Sequence, residues 1–152
     1  MVSPILRVTA GTDGLEALLL RCEALHRQLR PMLPPAYVPA IKEILAEGAQ
    51  LALALEGEQV VGLALFRQVR TTFSGKRFYV DDLVTDENAR SKGTGAKLIR
   101  WLEAEALATG SETVALESAT HRVRAHRFYL REGFDIIGFS FRKVLGTEKK
   151  PA

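Results

Sequence analysis

Apolar residues recur every three or four positions in some segments of the chain, and they alternate or run together in others. The first pattern predicts amphipathic helices, and the second predicts strands. The predicted helices cover residues 15–29, 38–47, 96–108 and 123–132. The predicted strands cover residues 5–9, 50–55, 59–71, 77–85, 113–117, 134–138 and 139–144.

The order of these elements is β-α-α-β-β-β-α-β-α-β-β. Strands joined by a short turn, such as Glu56-Gly57-Glu58, favour antiparallel pairing, whereas a helix between two strands favours a parallel crossover. We therefore predict an α/β (α+β) fold with a mixed central sheet. The chain has 152 residues, which is the length of one domain. We place that domain at residues 1–146 and a polar tail at residues 147–152.

Composition narrows the class of protein. A hydrophobic fraction of 47% and a charged fraction of 26% are typical of a globular domain and exclude a disordered chain. Cys22 is the only cysteine, so an internal disulfide and a cysteine-based zinc site are excluded, and a cytoplasmic location is expected. No apolar stretch approaches the roughly 20 residues of a membrane-spanning helix, so no membrane partner is expected. The net charge of +3 suits a polyanionic small ligand better than nucleic acid.

The most informative segment is a glycine-containing loop between a predicted strand and the helix that follows it. It reads Arg90-Ser-Lys-Gly-Thr-Gly. Backbone N–H groups at the start of a helix carry partial positive charge and favour a bound phosphate. Gly93 and Gly95 have no Cβ, so a phosphate can approach the backbone, and Arg90 and Lys92 add positive charge. The segment therefore predicts a pyrophosphate-binding loop, although it matches neither the Rossmann nor the Walker glycine pattern.

A second segment, nearer the C-terminus, contains Ala125-x-x-Phe128-Tyr129-x-x-x-Gly133-Phe134. Together with Arg90-x-x-Gly93-x-Gly95, it resembles the paired motifs of the GNAT superfamily of acetyl-CoA-dependent N-acetyltransferases. The resemblance covers residues 77–144 by motif, and the predicted order of elements matches the fold of that family. It implies direct transfer of an acetyl group from the thioester of acetyl-CoA, the cosubstrate, to an amine, with no metal.

The resemblance also implies which residues contact the cosubstrate. In the family, the strand before the loop separates from its neighbour and offers backbone groups to CoA. Arg122 stands where many members have an asparagine that contacts the cofactor, so a guanidinium there is expected to meet a phosphate instead. The expected cofactor-binding residues are Leu83, Val84, Thr85, Arg90, Ser91, Lys92, Gly93, Thr94, Gly95, Ala96 and Arg122.

Acetyl transfer needs groups that stabilise charge and move protons. The thioester oxygen becomes an oxyanion during the reaction, and the resemblance implies that the Leu83 N–H stabilises it. Tyr129 matches the tyrosine that gives its phenol proton to the CoA sulfur. A primary amine with a pKa near 10.4 is only about one part in a few thousand neutral at pH 7, so a base or a water chain must also take a proton.

Asp81 and Asp82 are candidates for the amine side of the site. Adjacent strand residues point to opposite faces, so the two carboxylates are expected to have different roles. Asp81 matches an acidic position of polyamine-acetylating relatives and is expected either to take the amine proton or to hold a cationic substrate. Tyr79 is a further candidate on the same face. His26, in the first helix, is expected at the surface or in a helix cap.

Three functions stay open at this point. The favoured one is an N-acetyltransferase that acts on a small-molecule amine, a protein lysine or a protein N-terminus. The alternative is a non-catalytic acyl-CoA-binding sensor on the same fold. A basic nucleic-acid-binding domain is disfavoured, because Phe128 and Tyr129 are the only aromatic residues within the arginine cluster of the second motif. Because members of the family are often dimers, a homodimer is also considered.

Overall fold

Five strands form one mixed sheet, in the spatial order β1-β2-β3-β4-β5. The computed structural model describes residues 4–89 and 92–146. Neighbouring strands pair in antiparallel fashion except β4 and β5, which are parallel because a helix connects them. The strands are β1 (Leu6–Val8), β2 (Gln50–Glu56), β3 (Gln59–Thr71), β4 (Gly75–Thr85) and β5 (Thr113–Leu116).

Helices cover both faces of this sheet. The described helices are α1 (Leu15–Leu29), α2 (Tyr37–Ala46), α3 (Thr94–Ala108) and α4 (Val123–Arg131), with a short 3₁₀ turn at Glu87–Ala89. The apolar stripes of α1 and α2 meet β2 and β3 in one buried core, to which Leu19, Ile41 and Leu63 belong. On the other face, the Trp101 ring of α3 lies 5.8 Å from the ring of Phe66. The described residues form two compact units, one up to Leu116 and one from Glu117, which contains α4.

The predicted mixed α/β fold is confirmed, and the first nine elements appear in the predicted order. The two closing strands predicted at residues 134–138 and 139–144 are wrong, because residues 134–146 form no strand. A strand needs a neighbour for its backbone N–H and C=O groups, and an apolar pattern alone does not supply one. The side chains of Ile137, Phe139 and Phe141 are accordingly 85%, 86% and 93% exposed.

Gly62 is the closest point between the sheet and α3. A Cβ atom built at Gly62 would lie 2.7 Å from Cγ2 of Thr94, 3.0 Å from Cδ1 of Leu98 and 3.2 Å from Cβ of Ala54. Only a residue without a side chain leaves room for the first turn of α3 at this distance. Gly62 therefore fixes where α3 begins relative to β3 and β4.

We expect Gly62→Ala to lower the free energy of unfolding by about 1–3 kcal/mol, the usual cost of overpacking a core. Urea unfolding followed by circular dichroism measures this difference. Gly11→Ala is the matched control, because a Cβ at Gly11 meets only the Thr9 hydroxyl, at 4.0 Å. Equal stability of the two variants would contradict the close packing of α3 on the sheet.

Candidate functional site

A β-bulge interrupts the pairing of β3 and β4. Leu65 lies opposite Asp82, but its neighbour Phe66 lies opposite Val80, so Asp81 is an extra residue on β4. A bulge turns the side chains that follow it and increases the local twist of the strand. The regular alternation of side chains between the two faces of β4 is therefore interrupted at Asp81.

The bulge brings the carboxylates of Asp81 and Asp82 to the same face of the sheet, the face covered by α1. Asp82 lies opposite Leu65, which is part of the core under α1 and α2. Arg67 lies two positions beyond Leu65 on β3, and its Nε donates to Oδ2 of Asp81 at 2.8 Å. The expectation that Asp81 and Asp82 face opposite sides is wrong, because it assumed a regular strand.

Asp82 is the end of a buried hydrogen-bond network that joins β4 to α1 and α2. His26 Nε2 donates to Oδ2 of Asp82 at 2.8 Å, and the other ring nitrogen of His26 lies 2.9 Å from the Tyr37 hydroxyl. Arg30, at the end of α1, donates from Nε to Oδ1 of Asp82 at 2.8 Å. Asp82 therefore serves as a structural hydrogen-bonding group between β4 and α1.

The pKa shifts assign the protons in this network. Burial alone would raise the pKa of Asp82, but the hydrogen bond from His26 and the charge of Arg30 outweigh it, so the pKa lies below its ordinary value. Burial raises the pKa of Tyr37 far above its ordinary value. Asp82 is therefore an ionised acceptor at neutral pH, and the Tyr37 hydroxyl keeps its proton.

The predicted position of His26, at the surface or in a helix cap, is wrong, because the residue is fully buried. The signal was present in the sequence, because His26 continues the buried stripe formed by Leu15, Leu19 and Cys22 at helical spacing. A histidine on such a stripe needs buried polar partners, and neither Tyr37 nor Asp82 is close to it in sequence.

The backbone of Leu83 and Thr85 faces away from β3. The N–H of Asp86 donates to the C=O of Val61 at 2.9 Å, which marks a hydrogen-bonded pair. Hydrogen-bonded and non-hydrogen-bonded pairs alternate in an antiparallel ladder, so the backbone of Val84 points to β3 and that of Leu83 and Thr85 points to the opposite edge. The ladder with β5 on that edge ends at Val80 and Leu116.

The first turn of α3 lies beside this strand end. Thr85 is the register partner of Gly62, against which the Thr94 side chain packs. Gly93 precedes the helix with a φ of 81°, a left-handed conformation that favours glycine. A Cβ at Gly93 would meet no atom of residues 4–89 and 92–146 within 4 Å.

The other loop residues have contrasting environments. Lys92 is exposed, and Gly95 and Ala96 are half-buried in the first turn of α3. The hydroxyl of Thr94 is buried and has no hydrogen-bond partner among the described residues, so a donor or acceptor from a bound molecule would satisfy it. The predicted contacts of Arg90 and Ser91 fall on residues outside those that the structure describes.

Tyr129 and Arg122 lie on α4, in the second compact unit. The Tyr129 ring contacts the rings of Phe128 and Phe134 at centroid distances of 5.4 Å and 5.7 Å. Arg122 precedes the first residue of α4. Burial raises the pKa of Tyr129 above its ordinary value, and the charge of Arg122 opposes this shift only in part. The phenol is therefore protonated throughout the neutral range.

Other reactive groups do not form a second centre in the described part of the chain. Cys22 is buried, and burial raises the pKa of its thiol to about 12, so it is no nucleophile at neutral pH. Among residues 4–89 and 92–146, no group of three His, Cys, Asp or Glu side chains is placed to hold a metal ion. The helices found there are too short or too polar to cross a membrane.

Comparison with known proteins adds a family and a relative. A sequence profile described as the acetyltransferase (GNAT) family matches residues 18–134. The chain is 33% identical over 138 residues to an aminoalkylphosphonate N-acetyltransferase of Salmonella typhimurium, which covers 90% of this chain and 87% of that protein.

Solved structures share the fold. A protein described as a transcriptional regulator from Bacillus halodurans C-125 is 28% identical, with a TM-score of 0.74 over 95% of this chain and 100% of the other. Aminoglycoside N-acetyltransferase AAC(6')-Iy in complex with CoA is 16% identical, with a TM-score of 0.77 over 94% of this chain and 95% of the other. At 16% identity, this second likeness concerns the fold alone.

Because the pKa of Asp82 is lowered in the folded state, the free energy of unfolding depends on pH in the acid range. The ionised carboxylate contributes stability that is complete above its unfolded pKa of about 3.9 and is lost as the pH falls through its lower folded-state pKa. We expect Asp82→Asn to cost about 1–3 kcal/mol at pH 7, because it weakens a buried hydrogen-bond network. We also expect a smaller further loss below pH 4 than in the wild type.

Urea unfolding at a series of pH values between about 3 and 7 measures both effects. Asp135→Asn, at an exposed carboxylate, is the control and should follow the wild type at every pH. If Asp82→Asn instead follows the wild-type acid profile, the Asp82 carboxylate does not hold the network together.

Proposed function

The chain belongs to the acetyltransferase (GNAT) family, and on that premise we propose that it moves the acetyl group of acetyl-CoA directly to the primary amine of a small molecule. It is an N-acetyltransferase that uses acetyl-CoA as its cosubstrate. The proposal adds the direct mechanism, the class of acceptor and the residues that carry the reaction.

One observation supports the cosubstrate site most strongly. The outward-facing backbone of Leu83 and Thr85 lies beside the first turn of α3, where no atom of the described residues lies within 4 Å of a Cβ built at Gly93. We assign the backbone contacts with CoA to Leu83 and Thr85, since the backbone of Val84 is turned to β3. The pyrophosphate would bind at Arg90, Ser91, Lys92, Gly93, Thr94, Gly95 and Ala96, and Arg122 would meet a phosphate.

The thioester carbonyl becomes negatively charged when the amine attacks it. The Leu83 N–H points to the strand edge where no β5 residue pairs with it in the described ladder, and we assign it as the donor to this oxyanion. A fixed backbone donor needs no reorganisation during the reaction, which is why such groups lower the barrier. The C–S bond then breaks and CoA leaves as a thiolate.

Tyr129 is the proposed acid that protonates this thiolate. Its hydroxyl has no hydrogen-bond partner among the residues that the structure describes, and its raised pKa keeps the proton in place at neutral pH. A thiol has a pKa of about 8.5 in water. The transfer from a phenol of higher pKa is uphill in water, so it requires a site that also disfavours the buried thiolate.

Asp81 is proposed to hold the ammonium form of the acceptor. Its Oδ2 accepts from Arg67, which fixes the carboxylate two residues before Leu83. Because the Asp81 carboxylate is already paired with the Arg67 guanidinium, we favour substrate binding over proton removal and assign the amine proton to ordered water. Tyr79 lies opposite Arg67 on the same face and belongs to this acceptor region.

The acceptor is proposed to be a small molecule because the relative that is 33% identical is described as an aminoalkylphosphonate N-acetyltransferase. A cytoplasmic location is proposed on the free thiol of buried Cys22. The homodimer stays a prediction.

Turnover on a panel of primary amines tests the function. Release of free CoA, followed by a thiol reagent, and acetylated product, followed by mass spectrometry, should appear in equal amounts. Binding of acetyl-CoA without turnover on any amine would favour the non-catalytic acyl-CoA sensor. No binding of acetyl-CoA would contradict the family's activity in this chain.

Gly93→Ala should weaken acetyl-CoA binding at least about tenfold, because a Cβ would enter the space proposed for the pyrophosphate. Calorimetric titration with acetyl-CoA measures the affinity. Gly110→Ala is the matched control, since Gly110 also has a positive φ, of 75°, and open space around it. The same affinity in both variants would remove the Gly93 turn from the cosubstrate site.

Tyr129→Phe keeps the ring contacts and removes the proton. We expect kcat to fall by about 10²–10⁴-fold, the usual range for general acid catalysis, while the affinity for acetyl-CoA is retained. Steady-state kinetics and the same calorimetric titration measure the two quantities. An unchanged kcat would show that water protonates the thiolate and that Tyr129 serves packing alone.

A further inference from the structure

Two arginines from different elements converge on Asp81. Arg67, on β3, donates from Nε to the carboxylate of Asp81 at 2.8 Å. Arg30, at the end of α1, donates from Nη2 to the backbone carbonyl of Asp81 at 3.2 Å. Both guanidinium groups are therefore held within hydrogen-bond reach of the bulged residue, and two residues of strand, about 7 Å, separate it from Leu83.

The arginines, and not the aspartates, dominate the solvent-facing side of this cluster. The side chains of Arg30 and Arg67 are 53% and 32% exposed, whereas those of Asp81 and Asp82 are 27% and 9% exposed. Asp82 is occupied by His26 and Arg30, and Asp81 by Arg67. Two aspartates thus offer little unpaired negative charge to a polycationic acceptor.

A third arginine extends the positive charge along β4. Arg77 lies two residues before Tyr79, and its guanidinium carbon is 5.1 Å from the centres of both the Tyr79 and Phe73 rings. Its Nε is buried and has no hydrogen-bond partner among the described residues. These three arginines exceed the two aspartates by one positive charge.

We propose that Arg67, assisted by Arg30, binds an anionic group of the acceptor and makes the enzyme selective for amines that carry a phosphonate or a carboxylate near the nitrogen. The Nε and Nη2 of Arg67 both contact Oδ2 of Asp81, at 2.8 Å and 2.7 Å, so the planar pair of N–H donors offered to either anion is the one on Nη1 and Nη2. With the anion at Arg67 and the ammonium at Asp81, a short acceptor reaches the strand end at Leu83. The inference rests on the proposed function, because it names the acceptor of the same site.

The first measurement compares acceptors of equal length. We expect kcat/KM to be higher for 2-aminoethylphosphonate and β-alanine than for ethanolamine, which is uncharged where they carry an anion. A higher value for 2-aminoethylphosphonate than for β-alanine identifies the phosphonate as the recognised group, and the reverse identifies the carboxylate. Equal values for all three amines, or a preference for the polyamine spermidine, would overturn the inference while leaving acetyl transfer intact.

The second measurement tests the residue. In Arg67→Gln, the ratio of kcat/KM for the preferred anionic amine to that for ethanolamine should fall about ten- to a hundredfold, the effect of losing a charge-assisted hydrogen bond. Arg70→Gln is the matched control, because Arg70 is an exposed arginine of the same strand and should keep the wild-type ratio. An unchanged ratio in Arg67→Gln would overturn the assignment.

Two further arms keep the test decisive. Arg67→Lys retains a positive partner for Asp81, so it preserves folding if Arg67→Gln does not, and it should lose part of the ratio because an ammonium lacks the planar fork. Calorimetric titration of the enzyme–CoA complex with 2-aminoethylphosphonate needs no turnover. Binding that Arg67→Lys weakens supports the anion site even if the proposed transfer fails, and no binding to the wild type overturns it.

Discussion

The bulge at Asp81 is the constraint on which the rest of the site depends. One extra residue in β4 turns two neighbouring carboxylates to the same face and at the same time leaves Leu83 and Thr85 with their backbone turned to the open edge of the strand. Irregular backbone of this kind persists only where its surroundings hold it. The hydrogen bonds of Arg30, Arg67 and His26 to the two aspartates supply that support.

The same contacts explain how separate parts of the chain act together. His26 lies in α1 and Arg30 directly follows it, so α1 is tied to β4, the strand that we propose faces the cosubstrate. Arg27 extends this tie by donating to the carbonyls of Leu33 and Pro34, both at 2.8 Å, which fixes the proline-containing turn between α1 and α2. The proposed acceptor region would therefore be built on ordered elements, as precise positioning of a nucleophile requires.

Most of the fold follows from the sequence because local pattern and tertiary packing agree over residues 5–89 and 92–116. The stripe of α1 and the apolar runs of β2 and β3 are buried where their periodicity predicts. Residues 134–144 have the composition of strands, but strand formation depends on a partner, which composition does not encode. The His26 network could not be predicted because it joins residues more than ten positions apart in sequence. The bulge could not be predicted because it depends on a single irregular pair in the ladder.

The charge of the site could not be predicted from local sequence either. Read as sequence, Asp81 and Asp82 suggest a cationic substrate, because nothing local reveals that Arg67 and Arg30 neutralise them. In the structure, the guanidinium groups of Arg30 and Arg67 are more exposed than the carboxylates they pair with. The family to which the chain belongs also binds a polyanionic cosubstrate. Recognition of two anions, one on each substrate, then becomes a consistent description of a chain whose net charge is +3.

A single-turnover experiment tests whether the acetyl group passes directly from CoA to the amine at the end of β4. The enzyme is mixed with acetyl-CoA that carries an isotopic label in the acetyl group, then with 2-aminoethylphosphonate, and the label is followed on protein and on acceptor. The account predicts that the label passes to the acceptor nitrogen in one phase that coincides with CoA release, and that none is found on the protein. Label retained on the protein before the amine is added would contradict it.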